Sequence, residues 1–130
     1  MGNRSKIGGN MKYLFVEYPK CSTCQKAKKW LESKNADFES RHIVENTPTF
    51  EELENWIKRS GLEIKKFFNT SGLVYKNMNL KEKLDGMSEK EKIKLLASNG
   101  MLIKRPLLIG ECTILVGFRE KEWTEKVLTK

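Results

Sequence analysis

The spacing of apolar residues in the first third of the chain predicts a strand, a helix and a second strand. Residues 12–16 are mostly apolar and favour β structure, and this run ends at Pro19. Ser22 and Thr23 offer N-caps for a helix to about residue 34, whose apolar positions fall at i, i+3 and i+4. Residues 38–44 then alternate weakly, as a strand does. This order favours a parallel strand pair with a right-handed crossover.

The middle of the chain carries helical signals, and its end carries a hairpin. A helix begins after Thr49, with acidic residues in its first turn, and ends at Gly61. Ser88 and Glu91 form a capping-box pattern for a helix over residues 88–97. Shorter helices are predicted at 64–68 and 80–84, strands at 107–109 and 113–116, and a closing helix at about 120–128. The resulting order, β-α-β, a helical middle and β-β-α, indicates an α/β fold.

Chain length indicates one domain. A chain of 130 residues has room for a single core of ordinary size. Residues 1–10 are rich in glycine and charge, lack apolar periodicity, and are expected to be a leader or an expression-tag remnant. We expect the domain to span residues 11–130, with the helical segment at about 47–100 inserted in its middle.

Composition argues against several classes of protein. The 25 lysines and arginines outnumber 17 acidic residues, for a net charge of +8, which suits an acidic partner. These charges are spread evenly, and no helix-turn-helix or basic arm is evident, so direct sequence-specific DNA binding is not expected. No apolar run approaches the roughly 18 residues of a membrane span, and no signal peptide is evident. Three cysteines are too few for a disulfide scaffold, so a cytoplasmic location is expected.

The segment Cys21-Ser22-Thr23-Cys24 is the sharpest chemical feature. It lies where the first strand passes into a helix, so Cys21 falls at or just before the helix N-terminus. Unpaired N–H groups and the helix dipole favour an anion there, and a thiolate is one. Cys24, one turn later, could close a disulfide with Cys21. The pattern therefore favours redox or nucleophilic chemistry.

Two ordinary alternatives accompany this interpretation. The cysteines could be inert core residues, or half of a zinc site, which requires four ligands. Only Cys112 and His42 remain as further ligands, without paired spacing, so no metal is expected. Cys112 itself is expected to be a small buried residue without a role. A general-base role for His42 has no support in the sequence.

Other conspicuous residues have structural explanations. Trp30 and Trp56 recur at helical spacing and are expected in the core rather than as base-stacking platforms. Lys26, Lys28 and Lys29 form a solvated helix face that could still attract an acidic partner or an anionic thiol such as glutathione. By the residues alone, Arg105-Pro106 marks the start of a strand.

Taken in order, these segments resemble the arsenate reductase (ArsC)/Spx family, in its ArsC-like branch with a CxxC motif. The resemblance covers nearly all of residues 11–130 and rests on the segments YPKCSTCQKA (18–27), FFNTSG (67–72), LKEKL (80–84), LIKRPL (102–107) and VGF (116–118). It implies a thioredoxin-like α/β fold with a helical insertion. It also implies that Pro106 follows a cis peptide bond.

The resemblance further implies roles for individual residues. Cys21 matches the family's nucleophile, and Cys24 becomes the resolving cysteine of an intramolecular disulfide. Arg105 matches the arginine before the cis-proline, and Arg119 the arginine after the final strand; both bind an oxyanion in arsenate reductases. The third arginine of that site appears here as Asn69, so a fixed positive charge is lost. This departure argues against arsenate as substrate.

Two function classes follow from the resemblance. The favoured one is an ArsC-like thiol-disulfide oxidoreductase, without a bound cofactor, restored by glutathione, another small thiol or thioredoxin. The alternative is an Spx-type, redox-switched regulator that binds the C-terminal domain of the α subunit of RNA polymerase, with which Gly61 and Arg105 are compatible. A protein that has lost catalysis and only binds a partner is a third class. We expect a monomer that does not associate with membranes.

Overall fold

The computed structural model describes residues 12–128, and the chain divides into two compact units. One unit holds the described residues up to Arg41 and those from Arg105 onward, and the other holds His42–Lys104. The predicted leader at residues 1–10 lies outside the described residues, so it stays a prediction, as does the extent of the single domain.

The elements follow one another in the predicted α/β order. In chain order they are β1 (Tyr13–Glu17), α1 (Ser22–Ser33), β2 (Phe38–His42), α2 (Phe50–Ser60), a 3₁₀ helix (Ile64–Phe67), α3 (Leu73–Asn77), α4 (Leu80–Lys83), a 3₁₀ turn (Leu84–Gly86), α5 (Glu89–Ser98), a 3₁₀ turn (Gly100–Leu102), β3 (Leu107–Ile109), β4 (Ile114–Val116), α6 (Glu120–Trp123) and a π-helical turn (Thr124–Leu128). Among the described residues, no helix has the length and apolar character needed to cross a bilayer.

The four strands form one sheet in the order β2-β1-β3-β4. Strands β1 and β3 are antiparallel, with Phe15 opposite Leu108. Strands β3 and β4 are also antiparallel, with Leu108 opposite Leu115, as the predicted hairpin requires. The central strands are almost wholly buried, which explains their continuous apolar runs.

Aromatic packing forms the core of the sheet-containing unit. Trp123 is fully buried and meets Trp30 edge to face at 5.9 Å and Phe118 at 4.8 Å between ring centroids. Its indole Nε1–H donates to the Gly117 carbonyl at 3.0 Å, so this buried polar atom has a partner. Each such ring contributes about 2–3 kcal/mol by its burial. These contacts place Trp30 in the core.

The unit of residues 42–104 is helical, and its two longest helices, α2 and α5, begin at side-chain caps. Thr49 and Glu52 form a complete capping box at α2, and Ser88 and Glu91 form the predicted capping box at α5. Gly61 ends α2 with a left-handed φ of 70°, a conformation that glycine adopts at little cost. Helices α2 and α5 pack on each other through their apolar faces.

Three local features differ from the sequence predictions. Cys21, rather than Ser22 or Thr23, occupies the N-cap of α1. Helix α3 was not predicted, because five residues without a side-chain cap give too short a periodic signal. Cys112 is exposed in the β3–β4 loop, so the expected burial is wrong. The hairpin turns at Gly110, whose N–H donates to Thr113 O, and this leaves the Cys112 side chain in solvent.

Two glycines of the helical unit give a matched test of packing. A Cβ at Gly100 would collide with the carbonyl group of Ile43, whereas a Cβ at Gly86 would meet no atom within 4 Å. Gly100→Ala should therefore lower the free energy of unfolding by about 1–3 kcal/mol, because a backbone atom has to move. Gly86→Ala should change it by less than about 1 kcal/mol. Urea unfolding followed by circular dichroism measures both, and equal effects would contradict the packing.

Candidate active site

A tight turn after β1 places Cys21 at the start of α1. The Cys21 N–H donates to the Tyr18 carbonyl at 2.9 Å, and the Gln25 N–H donates to the Cys21 carbonyl at 3.0 Å. The Gln25 side chain also donates to the Pro19 carbonyl at 2.9 Å and so ties the turn to the helix. Cys21 is partly buried at this position, which leaves its thiol accessible from solvent.

Cys24 lies one turn further along α1 and is fully buried. The backbone N–H of Tyr18 donates to its Sγ at 3.5 Å. Because residues three apart on a helix share a face, the two sulfurs of the motif approach each other. All three cysteines, including the exposed Cys112, are free thiols.

The groups around Cys21 favour its thiolate. Burial by itself would raise the pKa of the Cys21 thiol, yet the pKa is lowered below its ordinary value. The strongest opposing groups belong to Cys24, whose backbone N–H and thiol both direct a proton toward the Cys21 sulfur, followed by the Thr23 N–H. Cys21 makes no capping hydrogen bond of standard geometry, so these groups act through their electrostatic attraction.

The pKa of the second cysteine of the motif, Cys24, is shifted in the opposite direction. The pKa of Cys24 is raised to about 12, chiefly by burial and also by the negative charge on Cys21, and the Tyr18 N–H offsets these effects only in part. At neutral pH, Cys24 therefore keeps its proton, and its thiol S–H is the donor in a hydrogen bond to the Cys21 sulfur. The two thiols of one motif thus divide into a nucleophile and a proton donor.

Arg105 is the side chain from the far end of the sequence that reaches this motif. The Arg105–Pro106 peptide bond is cis, and the guanidinium carbon lies 5.1 Å from the centroid of the Tyr18 ring. A guanidinium over an aromatic face is held in orientation by the ring's negative quadrupole. From there Arg105 donates toward the Cys21 sulfur, which lowers the pKa of that thiol.

A buried carboxylate at the end of β1 is the feature that sequence analysis missed. Glu17 is 5% exposed, and its Oε2 lies 3.4 Å from Nζ of Lys28 on α1. A buried carboxylate is stabilised by an opposite charge or a hydrogen-bond donor. Lys28 supplies this partner for Glu17, although the sequence predicted it only as part of a solvated helix face. The signal in the sequence was a glutamate that directly follows the apolar residues of β1, four positions before Cys21.

The other predicted site residues occupy separate positions. Arg119 is exposed and forms the N-cap of α6, and within residues 12–128 it is not among the groups that shift the pKa of Cys21. Asn69 belongs to the helical unit, where its N–H donates to Leu102 O at 2.7 Å and its Oδ1 accepts from Ser71 at 3.4 Å. The anion-binding roles of both residues stay predictions.

His42 and the cysteines offer no evident metal centre. The Nδ1 of His42 accepts the N–H groups of Val44 and Glu45, both at 3.1 Å, so its ring stabilises a turn. Among the described residues, no group of three or more His, Cys, Asp or Glu side chains could hold a metal ion. Within residues 12–128, the chemistry that remains at the CxxC motif is that of the thiols and Arg105.

Comparison with known proteins identifies the family. A model of the ArsC family matches residues 16–126. The chain belongs to the ArsC family. It is 53% identical over 115 residues to the uncharacterized protein YusI of Bacillus subtilis (strain 168), covering 88% of this chain and 98% of that protein. It is also 32% identical over 108 residues to the regulatory protein MgsR of the same organism, with coverages of 83% and 84%.

Solved structures agree with this family. An ArsC-family-related protein from Bacteroides fragilis is 57% identical and superposes with a TM-score of 0.85, covering 88% of this chain and 97% of that chain. A Streptococcus mutans UA159 protein described as a possible arsenate reductase is 50% identical, with a TM-score of 0.78 and coverages of 85% and 93%. The family resemblance and the thioredoxin-like α/β fold predicted from the sequence are therefore confirmed.

The contact between Arg105 and Cys21 gives a prediction about thiol reactivity. In a Cys112→Ser background, the rate of iodoacetamide alkylation should rise with pH through a midpoint below that of a free cysteine, about 8.5. Arg105→Ala removes a group that lowers the pKa of Cys21, so the midpoint should move upward and alkylation at pH 7 should slow several-fold. Arg119→Ala is the matched control and should leave the midpoint in place. An unchanged midpoint in Arg105→Ala would contradict the assigned contact.

Proposed function

We propose that this ArsC-family protein is a thiol-disulfide oxidoreductase with Cys21 as nucleophile and Cys24 as resolving cysteine. The observation that carries the proposal is the asymmetry of the pair: the pKa of the accessible Cys21 is lowered, and the pKa of the buried Cys24 is raised. Such an asymmetry allows only one of the two sulfurs to attack a substrate, because the thiolate is the reactive form.

In the first step, the Cys21 thiolate attacks one sulfur of a substrate disulfide. A bond forms between Cys21 Sγ and that sulfur, the substrate S–S bond breaks, and the second substrate sulfur leaves as a thiolate. Arg105, already directed at Cys21 Sγ, is placed to offset the negative charge that spreads over the three sulfurs. The result is a mixed disulfide on Cys21.

In the second step, Cys24 attacks the sulfur of Cys21. The negative charge of Cys21 is one of the groups that raise the pKa of Cys24, and formation of the mixed disulfide removes that charge. Cys24 then loses its proton more readily, and the departing substrate thiolate is a suitable acceptor. The second bond to the substrate breaks, so the substrate gains two electrons and the protein holds a Cys21–Cys24 disulfide.

The cycle closes when an external thiol reduces the Cys21–Cys24 disulfide. A thioredoxin-type dithiol or a small thiol such as glutathione can supply the two electrons. A cytoplasmic location, where thiols are kept reduced, belongs to the same proposal. No bound cofactor is required by these steps.

Single-turnover mass spectrometry tests the roles of the cysteines. Reduced protein mixed with oxidised glutathione should end with a Cys21–Cys24 disulfide and two released glutathione molecules. Cys24→Ser should stop at a glutathione adduct on Cys21, because no resolving thiol remains. Cys21→Ser should react at the motif at least about 100-fold more slowly, since the remaining thiol, Cys24, is fully buried and its burial raises its pKa.

Cys112→Ser is the control for that experiment and should behave as the unaltered protein does. A stable adduct on unaltered Cys21, or an adduct on Cys24, would contradict the assigned order of attack. Arsenate in place of glutathione disulfide should leave the thiols reduced, because Asn69 carries an amide where arsenate reductases have a fixed positive charge. Disulfide formation driven by arsenate would show that the substrate is an oxyanion instead.

A regulatory function is the second candidate, and the relatives favour it. MgsR is named a regulatory protein, and Spx proteins that match this chain at 26–29% identity are named global transcriptional regulators. In such a role the CxxC disulfide would switch binding to the C-terminal domain of the RNA polymerase α subunit. Gly61, at the exposed end of α2, has open space above its Cα in which a partner could approach.

A binding experiment separates the two functions. An oxidoreductase for small substrates should not be retained on that polymerase domain when it is immobilised, whether its cysteines are reduced or oxidised. A regulator should be retained in one redox state only, and Cys24→Ser, which cannot close the disulfide, should then be insensitive to oxidant. Redox-dependent retention would therefore overturn the oxidoreductase as the principal function.

A further inference from the structure

The helical unit contains a cavity whose residues all come from one short stretch of chain. Its volume is about 550 Å³, which lies in the range of small-molecule sites. The stretch runs from the 3₁₀ helix at Ile64–Phe67 through α3 to α4. None of the cysteines lies there, so this cavity is separate from the chemistry proposed above.

A left-handed residue shapes the cavity wall. Asn79 has a φ of 54° and joins α3 to α4, its N–H donating to Lys76 O at 3.1 Å. Asparagine is one of the few residues that adopt this conformation at low cost. The turn brings Lys76, from the end of α3, and Lys81, from the start of α4, to the lining of the same cavity.

Three lysines give this cavity a positive potential. Lys65, Lys76 and Lys81 line it together with a single acidic residue, Glu82. Within residues 12–128, none of these lysines takes part in an ion pair. Glu82 offsets only part of this charge, so the lining keeps a net positive charge that favours an anionic ligand.

Tyr75 supplies the independent observation that points to a ligand. The residue is 4% exposed, and its ring packs against Phe68 with centroids 6.2 Å apart. Its hydroxyl nevertheless has no hydrogen-bond partner among the described residues, although it lines the cavity. The ring is enclosed, but the hydroxyl at its end reaches the cavity, where water or a ligand can meet it. This hydroxyl is available to a molecule in the cavity.

We propose that the cavity binds a phosphate monoester carried on a hydroxyl-bearing group, such as a sugar phosphate or a nucleoside monophosphate. The lysine ammonium groups and the hydroxyls of Thr70 and Tyr75 are donors suited to phosphate oxygens. The carboxylate of Glu82 and the amide of Asn79 are acceptors suited to sugar hydroxyls. A single site of this size thus matches both parts of such a ligand.

Calorimetric titration of the full chain tests this proposal. Glucose 6-phosphate and adenosine 5′-monophosphate are the two probes, with glucose and adenosine as neutral counterparts. At least one phosphorylated probe should bind with a Kd below about 1 mM, and its neutral counterpart should bind at least about 10-fold more weakly. Comparison of the two probes shows which group carries the phosphate.

Variants locate the binding in this cavity. Tyr75→Phe removes only the hydroxyl and should weaken binding about 5-fold, while Lys76→Gln should weaken it about 10-fold or more. Lys94→Gln, an exposed position on α5 that does not line the cavity, is the matched control and should leave the Kd unchanged. Unchanged thermal unfolding shows that Tyr75→Phe remains folded.

Several results would overturn the proposal. They are the absence of binding up to about 10 mM, equal binding of the neutral counterparts, and equal weakening by Lys94→Gln and Lys76→Gln. Cys21→Ser should bind the phosphorylated probe as the unaltered protein does. This variant keeps the outcome separate from that of the oxidoreductase proposal, which fails or holds on the cysteines alone.

Discussion

The position of one sulfur at the N-cap of α1 is the constraint on which the chemistry of this protein depends. Partial burial disfavours the Cys21 thiolate, and proton donors at the start of the helix outweigh that penalty. Those donors include the second cysteine of the motif, held one turn away and fully buried. Because the same thiol both donates to the thiolate and resists losing its own proton, the pair is polarised before any substrate arrives. Arg105 adds the only fixed positive charge among the groups that lower the pKa of this sulfur within residues 12–128.

The residues around the motif fix its position. Tyr18 contacts the motif in three ways: its carbonyl accepts the Cys21 N–H, its own N–H donates to Cys24 Sγ, and its ring lies against the Arg105 guanidinium. Directly before it, Glu17 is buried and paired with Lys28, which fastens the end of β1 to α1 by a charge pair. Aromatic packing around Trp123 holds α1 from its other side through Trp30. The reactive turn is therefore supported at both its strand and its helix.

The helical unit combines two capped helices with a stretch of short helices around a cavity. Its principal helices begin at side-chain caps, Thr49 and Ser88, which bind backbone N–H groups of the first turn. Between them lies a stretch of short helices, where a buried tyrosine and three lysines without ion pairs among the described residues surround a cavity. The sequence predicts short helices at 64–68 and 80–84 in this stretch, but no ligand site. The feature that distinguishes it, an unpaired hydroxyl on a buried ring, depends on packing and has no counterpart in the pattern of residues.

The sequence by itself determined the order of the strands and of the longer helices, the capping box of α5, the hairpin, and the placement of Cys21 at a helix start, because these follow from neighbours in the chain. The tertiary structure alone decided which of the two thiols is buried, that Glu17 is buried and paired, and that Cys112 is exposed. It also decided that Arg105, 84 positions after Cys21, directs its guanidinium at that sulfur. Burial and long-range charge depend on segments distant in sequence, so local periodicity carries no information about them.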